Sequence, residues 1–450
     1  MGRYTLILLT VWGLYSGVQV MDPEPAQFFA GVLLLGTLEG FTGYSLPDDL
    51  LSGTGIRAAD GFMKSVPVVG TYMSFLLFGG EFPGDSIIPR LYAVHILLIP
   101  GLLLALVAAH MLLLVYHKHT QWPGPGRTEQ NVVGYPMLPV YMAKAGGFFF
   151  IVFGLTALMG GLLTINPVWK FGPYDPSKVT AGSQPDWYMG WPDGALRIFP
   201  NWETHLWGHT LPWNIFLPII VLPGVMTFIL ILLPFLEAWI TGDKREHHLL
   251  QRPRNAPTRT ATMVALMTFY GVLWAAGGND ILAINFNFSI NQITYINRVA
   301  VFLFPVIAFI VTRRWCISLQ RHDEDLLLHG YETGVIMRSP EGGYSERHLP
   351  INDTHAYTLT AREREEVYAI ESDVDENGVA APGTRAQRIR ARLSTLMYAD
   401  NVQKPTVAEL EAARHHAEHE LELQSSLAHP ADGHQFDGHH LHDAPEEPLR

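Results

Sequence analysis

The chain has 450 residues, 48% hydrophobic and 16% charged, with a formal net charge of −12 and a mean hydropathy of +0.14. Soluble domains carry about 25% charged residues, so the composition points to an integral membrane protein; without a basic block there is no sign of a nucleic-acid partner. A single cysteine, Cys316, excludes an internal disulfide framework, a four-cysteine zinc site and an all-cysteine iron–sulfur cluster, which leaves histidine to hold any redox cofactor.

In chain order, Tyr4–Val20 is a short apolar stretch that reads either as the core of a signal peptide or as a marginal span. Phe28–Tyr44 is apolar and dense in glycine (Gly31, Gly36, Gly40, Gly43), and it carries Glu39. Glycine permits close approach of another helix or of a flat cofactor, and both uses stay open here. Leu46–Arg90, with Pro47, Asp48 and Asp49, reads as a surface connection with short interfacial helices. Leu91–Tyr116 follows, roughly 26 almost wholly apolar residues, enough at about 1.5 Å each to cross a bilayer core of about 30 Å.

His95 and His110 interrupt that span, and imidazole inside a membrane is costly unless it has a partner. Their spacing is about four helical turns, some 22 Å, and their directions differ by only about 60°. The pair therefore suits two stacked metal or haem sites on one side of the helix, not one shared site.

Further spans are expected over Val140–Ile165, Trp213–Ile240, Ala261–Ala276 and Val299–Ile317. Between the first two of these lies a Pro-, Gly- and Trp-rich loop containing QPDWYMGWPDG at Gln184–Gly194. From His322 the chain is polar, with a capping box at Thr406 and Glu409 that predicts a helix over Val407–Leu423. The terminal His434, His439, His440 and His442 stand among Gly, Pro and Asp, surroundings that favour a solvated end over a metal site. Basic flanks at His117–Arg127, Lys244–Arg259 and Arg313–Arg321 fall after alternate spans, which puts them on the cytoplasmic side and the PDWY loop outside. The start resists this scheme: a spanning Tyr4–Val20 leaves Arg3 outside, and a cleaved one leaves residue 28 on the wrong side. A chain beginning partway through a larger membrane domain would remove the conflict.

Four features together resemble the cytochrome b subunit of actinobacterial-type quinol–cytochrome c reductases. GYSLPDD at Gly43–Asp49 is similar to the family's GYxLPW segment, and RLYAVH at Arg90–His95 with His110 beyond is similar to its fourth helix. PDWY at Pro185–Tyr188 resembles the quinol-site PEWY motif with Asp for Glu, and the order of helices after it also matches. The likeness covers about Phe28–Ile351.

The resemblance implies an all-α membrane protein, a cytochrome b-type helical bundle that is N-terminally incomplete and has a cytoplasmic C-terminal extension. Four regions are expected: an atypical segment 1–27, a partial haem-binding core with outer quinol loops 28–211, membrane helices 212–320 and a polar tail 321–450. The implied activity is that of a quinol–cytochrome c oxidoreductase running a Q-cycle in the plasma membrane, with two haems b. His95 and His110 would be haem-iron ligands, with Arg90 and Gly43 beside the haem. Asp186 would take the quinol proton as a general base, with Tyr188 assisting, and Pro185, Trp187 and Gly55 would shape the quinol pocket. His117 and Lys118 would meet quinone near the inner face, although the family's aspartate on the next helix is replaced, Lys144 being followed by Ala145.

Menaquinol, a Rieske iron–sulfur protein, a cytochrome c subunit, a second copy of the chain, a terminal oxidase and membrane lipid are the implied partners. In the family each haem takes a second histidine from a helix before Phe28, and Met1–Gln27 contains none, so one axial ligand per haem is expected to be missing. Three readings stay open at this stage: a cytochrome b subunit, an inactive homologue with a structural or partner-binding role, and a haem-free transporter relaying protons through His95, His110 and Asp186.

Overall fold

The computed structural model describes residues 23–162, 171–180, 184–186, 188–242, 247–338, 342–360, 384–398, 402 and 404–428. The expectations for Tyr4–Val20, for Trp187 and for the terminal histidines lie outside the described residues.

Pro23–Tyr44 is helical (α1), as its apolar run predicts, but it is not among the four described helices long and apolar enough to cross a membrane. Its glycines, Thr37, Glu39 and Thr42 dilute the hydropathy. Leu50–Lys64 (α2) and Gly70–Phe78 (α3) are the short helices expected of the connection. The Asp49 carboxylate starts α2 by accepting from the Ser52 N–H at 2.7 Å. Ile87–His117 forms one long helix (α4), interrupted by a wider π turn at Val94–Leu98. Met142–Leu162 (α5) is a span candidate that exposes its apolar side chains along its length.

Gly190–Ile198 (α6) follows the PDWY loop, and a hairpin of Glu203–Leu206 (β1) with His209–Pro212 (β2) comes next. Leu222–Thr241 (α7) is entered through a π turn at Phe216–Val221. Pro257–Gly277 (α8), Asn279–Phe286 (α9) and Ile290–His329 (α10) complete the helical body. A second hairpin joins Tyr331–Arg338 (β3) to Tyr344–Leu349 (β4), ahead of Asp353–Thr360 (α11), Arg385–Tyr398 (α12) and Val407–Ala428 (α13).

Three expectations need correction. The two hairpins are additions to an all-helical chain; Trp207 (φ 50°) and Gly208 (φ 77°) make the left-handed two-residue turn that closes the first. The helix expected over Val299–Ile317 reaches from residue 290 to 329, because Leu326 and Leu327 in its polar end are buried against Ala356 and Leu359. The helix after the Thr406–Glu409 box forms with both reciprocal bonds, Thr406 N to Glu409 Oε2 at 2.7 Å and Glu409 N to Thr406 Oγ1 at 3.3 Å, and runs to Ala428 instead of Leu423.

The chain divides into two compact units, residues 1–320 with 361–402, and residues 321–360 with 403–450. Two apolar clusters organise the first. Ile56, Phe78, Ile87 and Leu91 join α2, α3 and the start of α4 beside Phe41 of α1. Ala195, Ile198, Val272, Leu273, Ala276, Ala300 and Val301 join α6 to α8 and α10. The α6–α8 contact is closest at glycine: a methyl group at Gly194 would collide with the Leu273 carbonyl oxygen and come within 2.6 Å of the Gly277 nitrogen. The Arg298 Nε also donates to the Ile198 carbonyl at 2.7 Å, so α10 holds the end of α6. The PDWY loop is thereby fixed at the end of α8.

Candidate functional site

The last turns of α1 organise the site. His95 lies in the π turn of α4, a distortion common at functional sites. Its Nδ1 is 3.1 Å from Thr42 Oγ1 and 3.2 Å from Glu39 Oε1, and its ring lies so close over Gly43 that a methyl group there would collide with it. One turn earlier, Gly40 receives the Tyr188 ring, whose Cε1 would be 2.9 Å from an added Cβ. Gly40 and Gly43 are three apart and share a helix face, so the His95 and Tyr188 rings rest about one turn, or some 5 Å, apart along α1.

The Tyr188 hydroxyl donates to Asp186 Oδ2 at 3.0 Å. Burial, and then the Asp186 charge, push the Tyr188 phenol well above its usual range, so it stays protonated and donating. On the adjoining side, Tyr44 Oη donates to the Leu51 carbonyl at 3.3 Å, and an added Cβ at Gly55 would lie 3.0 Å from the Tyr44 ring. Pro185 stands half-buried beside Asp186. Gly43, Gly55, His95, Asp186 and Tyr188, spread over about 145 residues of sequence, are thus brought to one end of the bundle.

A polar relay anchors the loop. Gln184 Nε2 donates to Asp280 Oδ2 at 2.6 Å, Arg197 Nη1 to Asp280 Oδ1 at 3.0 Å and Arg197 Nε to Asp193 Oδ2 at 2.6 Å. Burial raises the Asp193 carboxyl despite Arg197. At Asp280 burial is outweighed by Gln184 and Arg197, which hold its carboxyl below the usual range.

Other expected residues are placed elsewhere. Arg90 donates through Nη1 to the carbonyls of Leu76 and Leu77, tying α4 to the end of α3. His110 is exposed, one turn beyond Leu106, whose Cδ1 lies 3.4 Å from the Cβ position of Gly31. The π turn inserts one residue between His95 and His110, yet their directions remain within about 40° of each other. At that far end of α4, Lys118 turns back to donate to the Val115 carbonyl at 2.9 Å, and the His117 ring stands edge-on to Tyr116.

His248 bridges the same region, with Nε2 3.0 Å from the His117 carbonyl and Nδ1 2.8 Å from the Glu129 carbonyl. Gln121 pairs with the segment around His248 too, its N donating to the His248 carbonyl at 2.7 Å and its O accepting from Leu250 at 2.9 Å.

Sequence reasoning passed over Thr42, Tyr44 and the Gln184–Asp280–Arg197–Asp193 relay, and it read Gly40 only as a site of close approach. Glu39 did carry a signal, being an acid inside an apolar run.

The profile described as cytochrome b(N-terminal)/b6/petB matches residues 12–173. A Streptomyces coelicolor protein described as a cytochrome bc1 complex cytochrome b subunit is 54% identical over 391 residues, 86% of this chain and 72% of the relative. The chain belongs to the cytochrome b subunits of cytochrome bc1 complexes. A Mycobacterium tuberculosis subunit of the same description is 50% identical over 331 residues, 73% of this chain and 60% of that relative. A solved structure described as a hyperthermophilic respiratory Complex III superposes with a TM-score of 0.50 at 20% identity, covering 70% of this chain and 78% of that one, which supports the fold alone. Membership makes this a transmembrane electron-transport subunit of a haem-binding family.

The residues present fit an axial haem bond at His95. Its Nδ1 faces the Glu39 carboxylate, an arrangement that fixes the tautomer and leaves Nε2 with the lone pair an iron takes. The Glu39 Oε2 is buried without a hydrogen-bond partner among the described residues, and the bare Gly43 lets the His95 ring seat directly against α1.

Proposed function

We propose that this chain oxidises quinol at the end of the bundle where α1, α2, α6 and the PDWY loop meet. Menaquinol is the quinol that the resemblance to the actinobacterial family implies. One observation carries the reading: the Tyr188 and His95 rings rest on consecutive turns of the same face of α1, with Asp186 hydrogen-bonded to Tyr188. A quinol hydroxyl reaching Asp186 would thus lie beside Tyr188, whose ring is the neighbour of the proposed haem ligand along α1.

In this reading Asp186 accepts the quinol proton, and Tyr188, held protonated by burial, orients that carboxylate. The Tyr44 ring, packed over the side-chain-free Gly55, lines the adjoining wall of the pocket, and Pro185 precedes Asp186 in the loop. The relay from Gln184 to Asp280 and Arg197 holds the loop against α6 and α9. His95 and His110 would hold haem b, which supplies a one-electron path across the membrane when bound. Arg90 steadies the start of α4, and His117 and Lys118 are the groups we assign to a quinone at the opposite end. The net process is a Q-cycle with protons released on the PDWY side, which we place outside, and with the C-terminal tail in the cytoplasm. A Rieske iron–sulfur protein, a cytochrome c subunit, a second copy of the chain and a terminal oxidase complete the proposed assembly.

The test is Asp186→Asn in the assembled complex. Turnover of quinol to cytochrome c should fall roughly 10²–10⁴-fold, the span typical of a lost general base, while the reduced-minus-oxidised b-type spectrum keeps its amplitude. Full turnover in the variant would overturn the assignment of Asp186.

A further inference from the structure

Helix α12, RAQRIRARLSTLMY, carries four arginines and no acidic residue. It does not stand free of the membrane helices. The Arg390 Nε donates to the Trp239 carbonyl near the end of α7 at 2.6 Å, and Thr258 Oγ1, in the first turn of α8, donates to the Leu396 carbonyl at 3.1 Å. Ser394, on the docked side, is fully buried. Because α8 is long and apolar enough to cross a membrane and Thr258 is its second residue, α12 lies level with the end of a span, at headgroup depth.

The side away from these contacts has a definite composition. Arg385, Arg388, Ile389, Arg392 and Leu396 follow one another at the 3-, 4-, 7- and 11-residue offsets of a single helical stripe, and all five are exposed. Ile389 and Leu396 each keep 53% of their surface. Among the described residues, no hydrogen bond or ion pair engages the side chains of Arg385, Arg388 or Arg392. A purely basic stripe would suit any polyanion in water. Interleaving isoleucine and leucine with the arginines instead demands a medium that is apolar beside its negative charges, which is the boundary between phospholipid headgroups and acyl chains.

We propose that the Arg385–Leu396 stripe of α12 binds anionic phospholipid, the three guanidinium groups on lipid phosphates and Ile389 and Leu396 in the upper acyl region. Docking on α7 and α8 sets the depth, so the helix lies in the membrane surface and does not cross it. This inference is independent of where quinol is oxidised, and its readout is not turnover.

The experiment is hydrogen exchange of residues 385–398 in the whole complex, placed in nanodiscs of phosphatidylcholine alone or of phosphatidylcholine with an equal part of phosphatidylglycerol. Each cation near an anionic surface biases the bound state about fivefold, so three should slow exchange on the order of a hundredfold in the anionic discs. High salt should remove most of the difference. Replacing all three residues (Arg385→Gln, Arg388→Gln and Arg392→Gln) should bring the rate to its value in neutral discs, whereas the three lysine replacements should keep the protection. Unchanged exchange across α8 shows that the fold survives in each variant. Equal protection in both lipids, phosphatidylglycerol protection that survives the glutamine replacements, or protection by millimolar inorganic phosphate in neutral discs would each overturn the proposal.

Discussion

Replacing Gly194 by alanine isolates the contact that positions the PDWY loop. The added methyl would strike the Leu273 carbonyl oxygen and stand 2.6 Å from the Gly277 nitrogen, where ordinary contact begins at 3.4 Å. Both neighbours are backbone atoms of α8 and cannot rotate away, so α6 must retreat by about 1 Å or more. Overpacking of this kind costs about 1–3 kcal/mol. The cost to function should be larger, since α6 begins two residues after Tyr188 and a displacement of about 1 Å at a reacting site can lower rates about 10²-fold. The assay pairs thermal unfolding of the solubilised complex with quinol turnover, using Gly271→Ala on α8 as the control because a Cβ there meets nothing within 4 Å. Gly194→Ala should lower both stability and turnover, and Gly271→Ala should change neither. Wild-type turnover in Gly194→Ala, or equal losses in both variants, would refute the argument that the α6–α8 approach sets the loop.

Two further outcomes follow from the polar contacts. Asp280→Ala should cost about 1 kcal/mol, a modest figure because its side chain is a third exposed, and should raise the quinol KM by freeing Gln184; Gln184→Ala should have the same effect, and the two changes should combine non-additively in a double-mutant cycle. Glu129 is partly buried, which alone would raise its carboxyl, but the His247 side chain and the N–H groups of His248 and Leu249 hold it below the usual range. A depressed carboxyl stabilises above the unfolded-state value and loses that contribution as pH falls through the folded one. The thermal-midpoint gap between the wild type and Glu129→Gln should therefore be constant near neutrality and close as pH drops below about 4, while a gap independent of pH would contradict this account.

Several residues of the candidate site were legible in the chain. His95 and His110 stood out because an ionisable ring inside an apolar run is costly without a partner, and Asp186 and Tyr188 because PDWY resembles the quinol-site motif of the cytochrome b family. The cap at Thr406 and Glu409 was readable because capping is a local transaction between residues three apart. Arg90 was readable only as a basic residue before a span; its role in holding the end of α3 depends on carbonyls 13 and 14 positions away.

Sequence by itself determined the membrane class, the helical periods, the position of each ionisable group along its helix and the family, since each depends on composition or on spacing within one segment. Only the tertiary structure decided which groups meet. Glu39 and Thr42 face His95 across more than 50 residues, Gly40 accepts the Tyr188 ring across nearly 150, and Asp280 reaches back to Gln184. A side chain's partner on another helix is fixed by how closely the backbones approach, and at Gly40, Gly43, Gly194 and Gly277 that approach exists because no Cβ is there to prevent it. A glycine in a sequence shows that close approach is permitted; which ring or carbonyl fills the space is settled only when the helices pack.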